Sequence, residues 1–145
     1  DAYQVFGLKS LIKQLDLPIE VIMAPIIRDS DGLSYSSRND FLTRSERERA
    51  ISIYKTLHEV STWPKYAIDI KSVECAKEYI TSHIQSDYCY VDICCAETFE
   101  ELDNLDRDAI ILVTAGPFGR KGLPLHELVN EGAKGFLTDN IFVYQ

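Results

Sequence analysis

The sequence lacks an uninterrupted apolar run of about 18 residues and does not open with a charged segment followed by an apolar one. A helix that crosses a bilayer needs about 20 mostly apolar residues, and a secretory signal needs a basic segment before an apolar core. Neither a membrane span nor a signal peptide is predicted. We therefore expect a cytoplasmic protein that does not bind membranes.

Clustered positive charge is also lacking. The 145 residues contain 15 Lys and Arg against 23 Asp and Glu, which gives a formal net charge of -8. Proteins that bind nucleic acids present a basic surface to the phosphate backbone. The charge balance therefore argues against a nucleic-acid partner, and the acidic run at 100–108 is interpreted as a solvated surface.

The four cysteines lack the CxxC spacing that is typical of zinc sites and redox motifs. Cys94 and Cys95 are neighbours in a predicted strand, where adjacent side chains point to opposite faces, so these two thiols are poorly placed to share a metal ion. We interpret Cys75, Cys89, Cys94 and Cys95 as reduced thiols and predict no metal ligands.

What is present is a 46% hydrophobic chain, enough for one core of ordinary size. Apolar residues at helical spacing predict amphipathic helices at 2–15, about 44–60, and from 73 to near 86. Apolar segments predict strands at 19–24, 89–95, 109–115 and around 135–143. The first of these is interpreted as a buried strand of a parallel sheet, and 109–115 as buried on both faces.

Residues 25–42 form a predicted loop that is longer than most connections between elements. Thr43 and Glu46 follow it with capping-box spacing. Within the loop, DGLSYSSRND (31–40) places Ser36 and Ser37 beside Arg38. A guanidinium is always charged and binds phosphate oxygens through two N–H groups, and hydroxyls add directed donors. The loop therefore predicts a phosphate site, with a solvated surface turn as the alternative.

The segment 25–50 resembles the carboxyl-terminal part of the pantoate–β-alanine ligase family, also called pantothenate synthetases. The matching motifs are Pro25-x-x-Arg28, Asp31-Gly32-Leu33, Ser36-Ser37-Arg38-Asn39 and Leu42-Thr43-x-x-Glu46. The opening DAYQ resembles a family segment that contains an aspartate and a glutamine three residues later.

The resemblance implies an α/β fold of the nucleotidyltransferase superfamily. Residues 1–26 would be the last helix and strand of a Rossmann-like nucleotide-binding domain. Residues 27–145 would form a small α+β lid domain with an antiparallel sheet, in which 31–40 is the counterpart of the KMSKS loop. The family condenses pantoate with β-alanine through a pantoyl adenylate, consuming ATP with Mg²⁺ and releasing pyrophosphate, AMP and pantothenate.

The resemblance also implies roles for particular residues and a homodimeric enzyme. Ser36, Ser37 and Arg38 would act on the ATP phosphates during catalysis. ATP would also contact Asp1, Ile27 and Tyr35, and Gln4 would hydrogen-bond pantoate.

Two features depart from the family pattern. No residues match its His-x-Gly-His motif, and His58, His83 and His126 are scattered, so we interpret these histidines as packed or surface residues. The segment 114–134, which begins with the last two residues of the strand at 109–115, intervenes before GFLTDN, the counterpart of the family's closing Leu-Ile-Asp-Asn. This insertion contains Gly116, Gly119 and Gly122, interpreted as a flexible turn, and a possible short helix at 125–132.

The sequence opens on Asp1 directly before an amphipathic helical pattern, so we expect a piece of a longer protein. Because the family's His-x-Gly-His motif is missing from it, we expect this piece to be inactive alone. Two alternatives remain open at this level. One is a non-catalytic module that binds a protein partner, and the other is an adenylating ligase with a different acid substrate.

Overall fold

A computed structural model describes residues 2–63, 72–105, 108–118 and 135–143, apart from the side chains of Arg38 and Phe41. The described elements, in chain order, are α1 (Ala2–Gln14), a 3-10 turn (Ser37–Phe41), α2 (Arg44–Ser61), α3 (Val73–His83), β1 (Tyr88–Cys95), β2 (Ala109–Gly116) and β3 (Leu137–Val143). The predicted Gly119, Gly122, His126 and the helix at 125–132 lie outside the described residues, as does Asp1.

The three strands form one antiparallel sheet in the order β1-β2-β3, with β2 in the centre. Val91 lies opposite Val113, and Val113 lies opposite Asp139. Every residue of β2 except Thr114 is buried, which confirms the prediction for 109–115. A central strand covered on both faces requires this nearly continuous apolar sequence.

Helices α2 and α3 cover one face of the sheet, here called the inner face. Their predicted apolar stripes are buried there; they comprise Ala50, Ile53, Leu57 and Val60 of α2, and Val73, Ala76 and Ile80 of α3, with Ile84 just beyond it. Residues at these spacings lie on one side of a helix, so each helix contributes a single apolar face to the core. The capping box at the start of α2 is confirmed, since Thr43 and Glu46 accept each other's backbone N–H groups.

The opposite face, here called the outer face, is covered by the beginning of α1. Ala2 packs with Cys94, Ile110 and Leu112, and Phe6 stacks on Phe99 at 3.9 Å between ring centroids. Leu8, Leu11 and Leu15, farther along the same segment, are exposed. The outer face therefore carries a smaller apolar cluster than the inner face.

The prediction of a buried parallel strand at 19–24 is wrong. The segment forms no strand with any described residue, and Ile22 is 83% exposed. A strand needs a neighbour to accept and donate its backbone hydrogen bonds. Residues 19–24 make no such ladder with any described residue.

The acidic connection between β1 and β2 is a turn and an extended loop over its described part. Its carboxylates are exposed, but Leu102 and Leu105 turn inward to the core. Among the described residues, no helix has both the length and the apolar content to cross a bilayer.

Candidate functional site

The predicted phosphate loop is built on a short hairpin of residues 27–35. Arg28 and Ser34 form an antiparallel bridge, and the Tyr35 backbone N–H donates to the Ile27 carbonyl at 2.9 Å. At the turn, the Gly32 N–H donates to the Asp29 carbonyl at 2.9 Å. Leu33 then inserts its side chain into the inner core. The segment leading to Ser36 is therefore an ordered structure and not a solvated turn.

Gly32 is required by the shape of this turn. Its φ of +91° lies in the region that residues with a Cβ rarely adopt. A Cβ at this position would lie 2.1 Å from the Tyr54 ring. The glycine thus lets the hairpin turn lie directly against α2.

Arg47 of α2 holds the two carboxylates of the turn. Its Nη2 donates to Asp29 Oδ2 at 2.6 Å, and its Nε donates to Asp31 Oδ2 at 2.8 Å. The hydrogen bond from Arg47 lowers the pKa of Asp31 below its ordinary value. This fork joins the turn to the first half of α2 through charge-assisted hydrogen bonds.

Arg28 ties the other side of the hairpin to the sheet. Its Nη1 and Nη2 donate to the two carboxylate oxygens of Asp139 on β3, at 2.7 and 2.9 Å. The guanidinium also lies over the Tyr54 ring, 4.4 Å from its centroid. The hairpin is therefore anchored to both α2 and β3.

The 3-10 turn after the hairpin is closed by Asn39. Its backbone N–H donates to the Ser36 carbonyl at 3.0 Å, and its side-chain Nδ2 donates to the Ser34 carbonyl at 2.9 Å. The Asn39 Oδ1 atom is buried and has no hydrogen-bond partner among the described residues. Asn39 thus fixes the backbone on both sides of Tyr35.

A cleft of about 500 Å³ opens between this loop, the start of α1 and the outer face of the sheet. Its lining comprises Ala2 and Tyr3 of α1, Ala24, Pro25, Ile26 and Ile27, Ser34, Tyr35 and Ser36 of the loop, Leu112, Val113 and Thr114 of β2, and Thr138, Asp139 and Asn140 of β3. Among these described residues none is Lys or Arg. The cleft therefore offers hydroxyls, an amide and apolar groups, and its one carboxylate is already bound by Arg28.

The family model described as pantoate-beta-alanine ligase matches residues 1–123. The chain belongs to this family. The pantothenate synthetase of Acetivibrio thermocellus is 34% identical over 124 residues, which cover 82% of this chain and 43% of that protein. The enzyme of the same name from Thermotoga petrophila is 34% identical over 119 residues, covering 79% of this chain and 42% of that protein.

A crystal structure of pantothenate synthetase from Thermus thermophilus is also similar, with a TM-score of 0.71 and 25% sequence identity. The match covers 98% of this chain and 46% of that one. The chain thus spans less than half the length of the relatives that it matches. Membership of the family confirms the resemblance that was read from the loop motifs.

The structure brings some of the predicted site residues together at the cleft. Ile27, Tyr35 and Ser36 line it, whereas Ser37 begins the 3-10 turn with an exposed side chain outside the lining. The Arg38 backbone lies in that turn, and its side chain is outside what is described. Gln4 is exposed on α1, one residue beyond Tyr3, and is not part of the lining. The roles of all these residues, and of Asp1, stay predictions.

Sequence reasoning assigned no site role to several residues that line the cleft: Tyr3, Thr114, Thr138, Asp139 and Asn140. The last two had a signal, because GFLTDN was matched to the family's closing motif. Tyr3 donates a hydrogen bond to the Asp92 carboxylate. Burial, and to a smaller extent the hydrogen bond to Asp92, raise the pKa of Tyr3. The phenol therefore stays protonated and remains a donor.

The cysteines and histidines contribute no catalytic cluster within the described ranges. All four thiols are free, with Cys94 on the outer face and Cys95 packed against the inner core, as their alternation predicted. Burial raises the pKa of Cys89 to about 11. The exposed His58 lies against Tyr54, and His83 stacks on Tyr79. No group of three or more His, Cys, Asp or Glu that could hold a metal occurs in the described part of the chain.

Proposed function

We propose that this chain is the carboxyl-terminal part of an ATP-dependent ligase that condenses pantoate with β-alanine through a pantoyl adenylate. The observation that carries this proposal is the Ser36-Ser37-Arg38-Asn39 segment of the family motif, presented on an anchored hairpin at the edge of a cleft. Residues 1–26 would belong to a Rossmann-like nucleotide-binding domain, and residues 27–145 would be the lid.

In the first step, a carboxylate oxygen of pantoate attacks the α-phosphorus of ATP, and pyrophosphate leaves with the bonding electrons. Negative charge builds on the leaving group, so donors that are already positioned there stabilise the transition state. Ser36, Ser37 and Arg38 would supply these donors. The amine of β-alanine then attacks the adenylate carbonyl, forms the amide and releases AMP.

The rest of the loop would position these donors. Asn39, Arg28 and Arg47 fix the hairpin, so little conformational freedom is lost when the phosphates bind. Tyr35 and Ile27 would border the nucleotide from the loop side of the cleft, Asp1 would approach it from the start of α1, and Gln4 would contact pantoate.

Mg²⁺ is expected to accompany ATP, and protein ligands for it would have to come from the cleft. Asp139 is the sole carboxylate in the described lining, and both of its oxygens accept hydrogen bonds from Arg28. The described residues therefore do not fit a protein-held Mg²⁺ site.

We further propose that the chain does not turn over alone, because it has no match to the family's His-x-Gly-His motif. The working enzyme would be a cytoplasmic homodimer. The proposed contacts of the loop are to phosphates, which do not distinguish one acid substrate from another. The acid substrate is therefore to be established by assay.

The test is AMP release by the intact natural protein with Mg²⁺ and ATP, omitting pantoate and β-alanine in turn. AMP that appears only with both supports the proposal, and exchange of labelled pyrophosphate into ATP with pantoate alone identifies the adenylate step. AMP with a different acid in place of pantoate would redirect the substrate assignment. A folded protein that releases no AMP under any combination would overturn the enzyme proposal in favour of a binding module.

A further inference from the structure

The strongest unassigned feature is the ion pair between Arg28 and Asp139, which joins residues 111 positions apart in the sequence. Nη1 of the guanidinium donates to Asp139 Oδ2 at 2.7 Å, and Nη2 donates to Oδ1 at 2.9 Å. The Asp139 side chain is 2% exposed and that of Arg28 is 18% exposed. This is an oriented, largely dehydrated pair and not a solvated surface contact.

The Arg28 guanidinium contacts the hairpin turn, β3 and α2. Nη1 also donates to the Gly32 carbonyl of the hairpin turn at 3.1 Å, and Nη2 donates to the Asn140 carbonyl of β3 at 3.2 Å. Its face lies over the Tyr54 ring of α2. Asp139 in turn accepts the Asn140 backbone N–H at 2.8 Å, so the carboxylate is fixed on its own strand.

A buried ion pair is weak support for stability, because removing two charges from water costs about as much free energy as their attraction returns. What the pair does supply is geometry. The planar fork matches a carboxylate in one orientation, which an ammonium group does not reproduce. Arg28 is bridged to Ser34, two residues before Ser36, while Asp139 sits between Thr138 and Asn140 in the opposite wall of the cleft.

We propose that the Arg28–Asp139 pair positions the phosphate loop by fixing the distance between the Ser34–Ser36 wall and the β3 wall of the cleft. This positioning role rests on the proposed function. It would make β3, the last described strand, one of the elements that hold the loop in place. Neither residue needs to touch the substrate: both are positioning residues that act through Ser36 and its neighbours.

The test compares three variants of the intact natural protein. Asp139→Asn keeps the shape of the side chain but leaves the Arg28 charge unpaired. Arg28→Lys keeps the charge and loses the fork. The double variant Arg28→Met with Asp139→Leu removes both charges and replaces the pair with apolar groups, a change that is often neutral or stabilising.

If the pair positions the loop, kcat for AMP formation should fall roughly 10²-fold in Asp139→Asn and in Arg28→Lys. A misplacement of reacting groups by about 1 Å has an effect of this size. In the double variant the melting temperature returns to the wild-type value while kcat stays low. The ratio kcat/KM for β-alanine is unchanged, because the loop acts in the adenylate-forming step and not in the attack of the amine. Glu48→Gln, which breaks the exposed pair between Arg44 and Glu48, is the matched control and leaves both readouts unchanged.

Recovery of both kcat and melting temperature in the double variant would overturn the proposal, since the pair would then serve stability alone. Wild-type kcat in a folded Arg28→Lys variant would overturn it as well, even where the double variant fails to fold. A wild-type protein that releases no AMP would instead reject the proposed function. In that case backbone hydrogen exchange at residues 33–36 tests the positioning role separately. Asp139→Asn is expected to speed exchange there. An unchanged exchange rate would reject the positioning role.

Discussion

The two faces of the sheet are built from the same strands but differ in what covers them. On the inner face, Ile111 and Val113 of β2 lie beneath α2 and α3 in a continuous apolar core. On the outer face, Ile110 and Leu112 are covered by the first turn of α1, and the next outer residue is Thr114. One face is closed by helices, and the other opens into the cleft.

The change from apolar to polar on the outer face follows the register of the sheet. Tyr90 of β1, Thr114 of β2 and Thr138 of β3 lie side by side across the three strands. Cross-strand neighbours on one face contact each other, so this row forms a continuous polar surface. Alternation along each strand thus lets one sheet form a core on one face and a cleft wall on the other.

The largest expected effect tests the inner face. Ile111→Ala removes a side chain that is 0% exposed at the centre of the core, and we expect it to lower the free energy of unfolding by about 2–5 kcal/mol. Thr114→Ala, three residues along the same strand, is the comparison on the outer face, with an expected change within about 0.5 kcal/mol. Urea unfolding of the intact natural protein measures both, and equal losses would contradict the division between the faces.

The second prediction tests the cleft. Arg38→Ala should reduce kcat for AMP formation by about 10²–10³-fold if the proposed function holds, because the proposed donor to the leaving pyrophosphate is then lost. The free energy of unfolding should not change. Arg44→Ala serves as the control, since its side chain is 95% exposed and pairs with a similarly solvated Glu48. Wild-type turnover by Arg38→Ala would show that the loop has no phosphate role.

The third prediction tests the contact between hairpin and core. Gly32→Ala places a Cβ on a residue with a φ of +91° and against Tyr54, so we expect a loss of at least roughly 1–2 kcal/mol in unfolding free energy. Gly7→Ala is the matched glycine control. It lies in α1 with open space around it and is expected to stabilise by about 0.5–1 kcal/mol. A neutral Gly32→Ala would mean that the turn can move away from α2.

Much of the inner face was predictable because burial leaves a periodic signal. The stripes of α2 and α3 and the continuous apolar run of β2 appear directly in the sequence, and the capping box marks where α2 begins. The prediction of a buried strand at 19–24 failed for a related reason. An apolar run indicates that a segment is suited to burial, but it does not indicate which neighbouring element covers it.

The candidate site was predictable only in its local part. Ser36, Ser37 and Arg38 stand together in the sequence, so their shared chemistry is visible there. The pairing of Arg28 with Asp139 spans 111 residues and depends on how the hairpin sits on β3. A single sequence contains no signal for such a contact, and the polar row of Tyr90, Thr114 and Thr138 required the strand register in the same way.

The smallest expected effect concerns the carboxylates of the hairpin turn. Arg47 lowers the pKa of Asp31 in the folded protein below its ordinary value of 3.8. A depressed carboxyl pKa stabilises the fold above the unfolded-state value and loses this contribution as the pH falls through the folded-state value. The loss should therefore begin as the solution is acidified below about pH 4.

Asp31→Asn should be less stable than the wild type at neutral pH, and the difference should shrink as the pH falls below about 4. The effect is modest because the Asp31 and Arg47 side chains are about one-third exposed, and water weakens their attraction. Asp40→Asn, in the 3-10 turn with an exposed side chain, is the control for the loss of one surface carboxylate. A constant difference between Asp31→Asn and wild type across the range would show that Arg47 holds the turn through shape and not through charge.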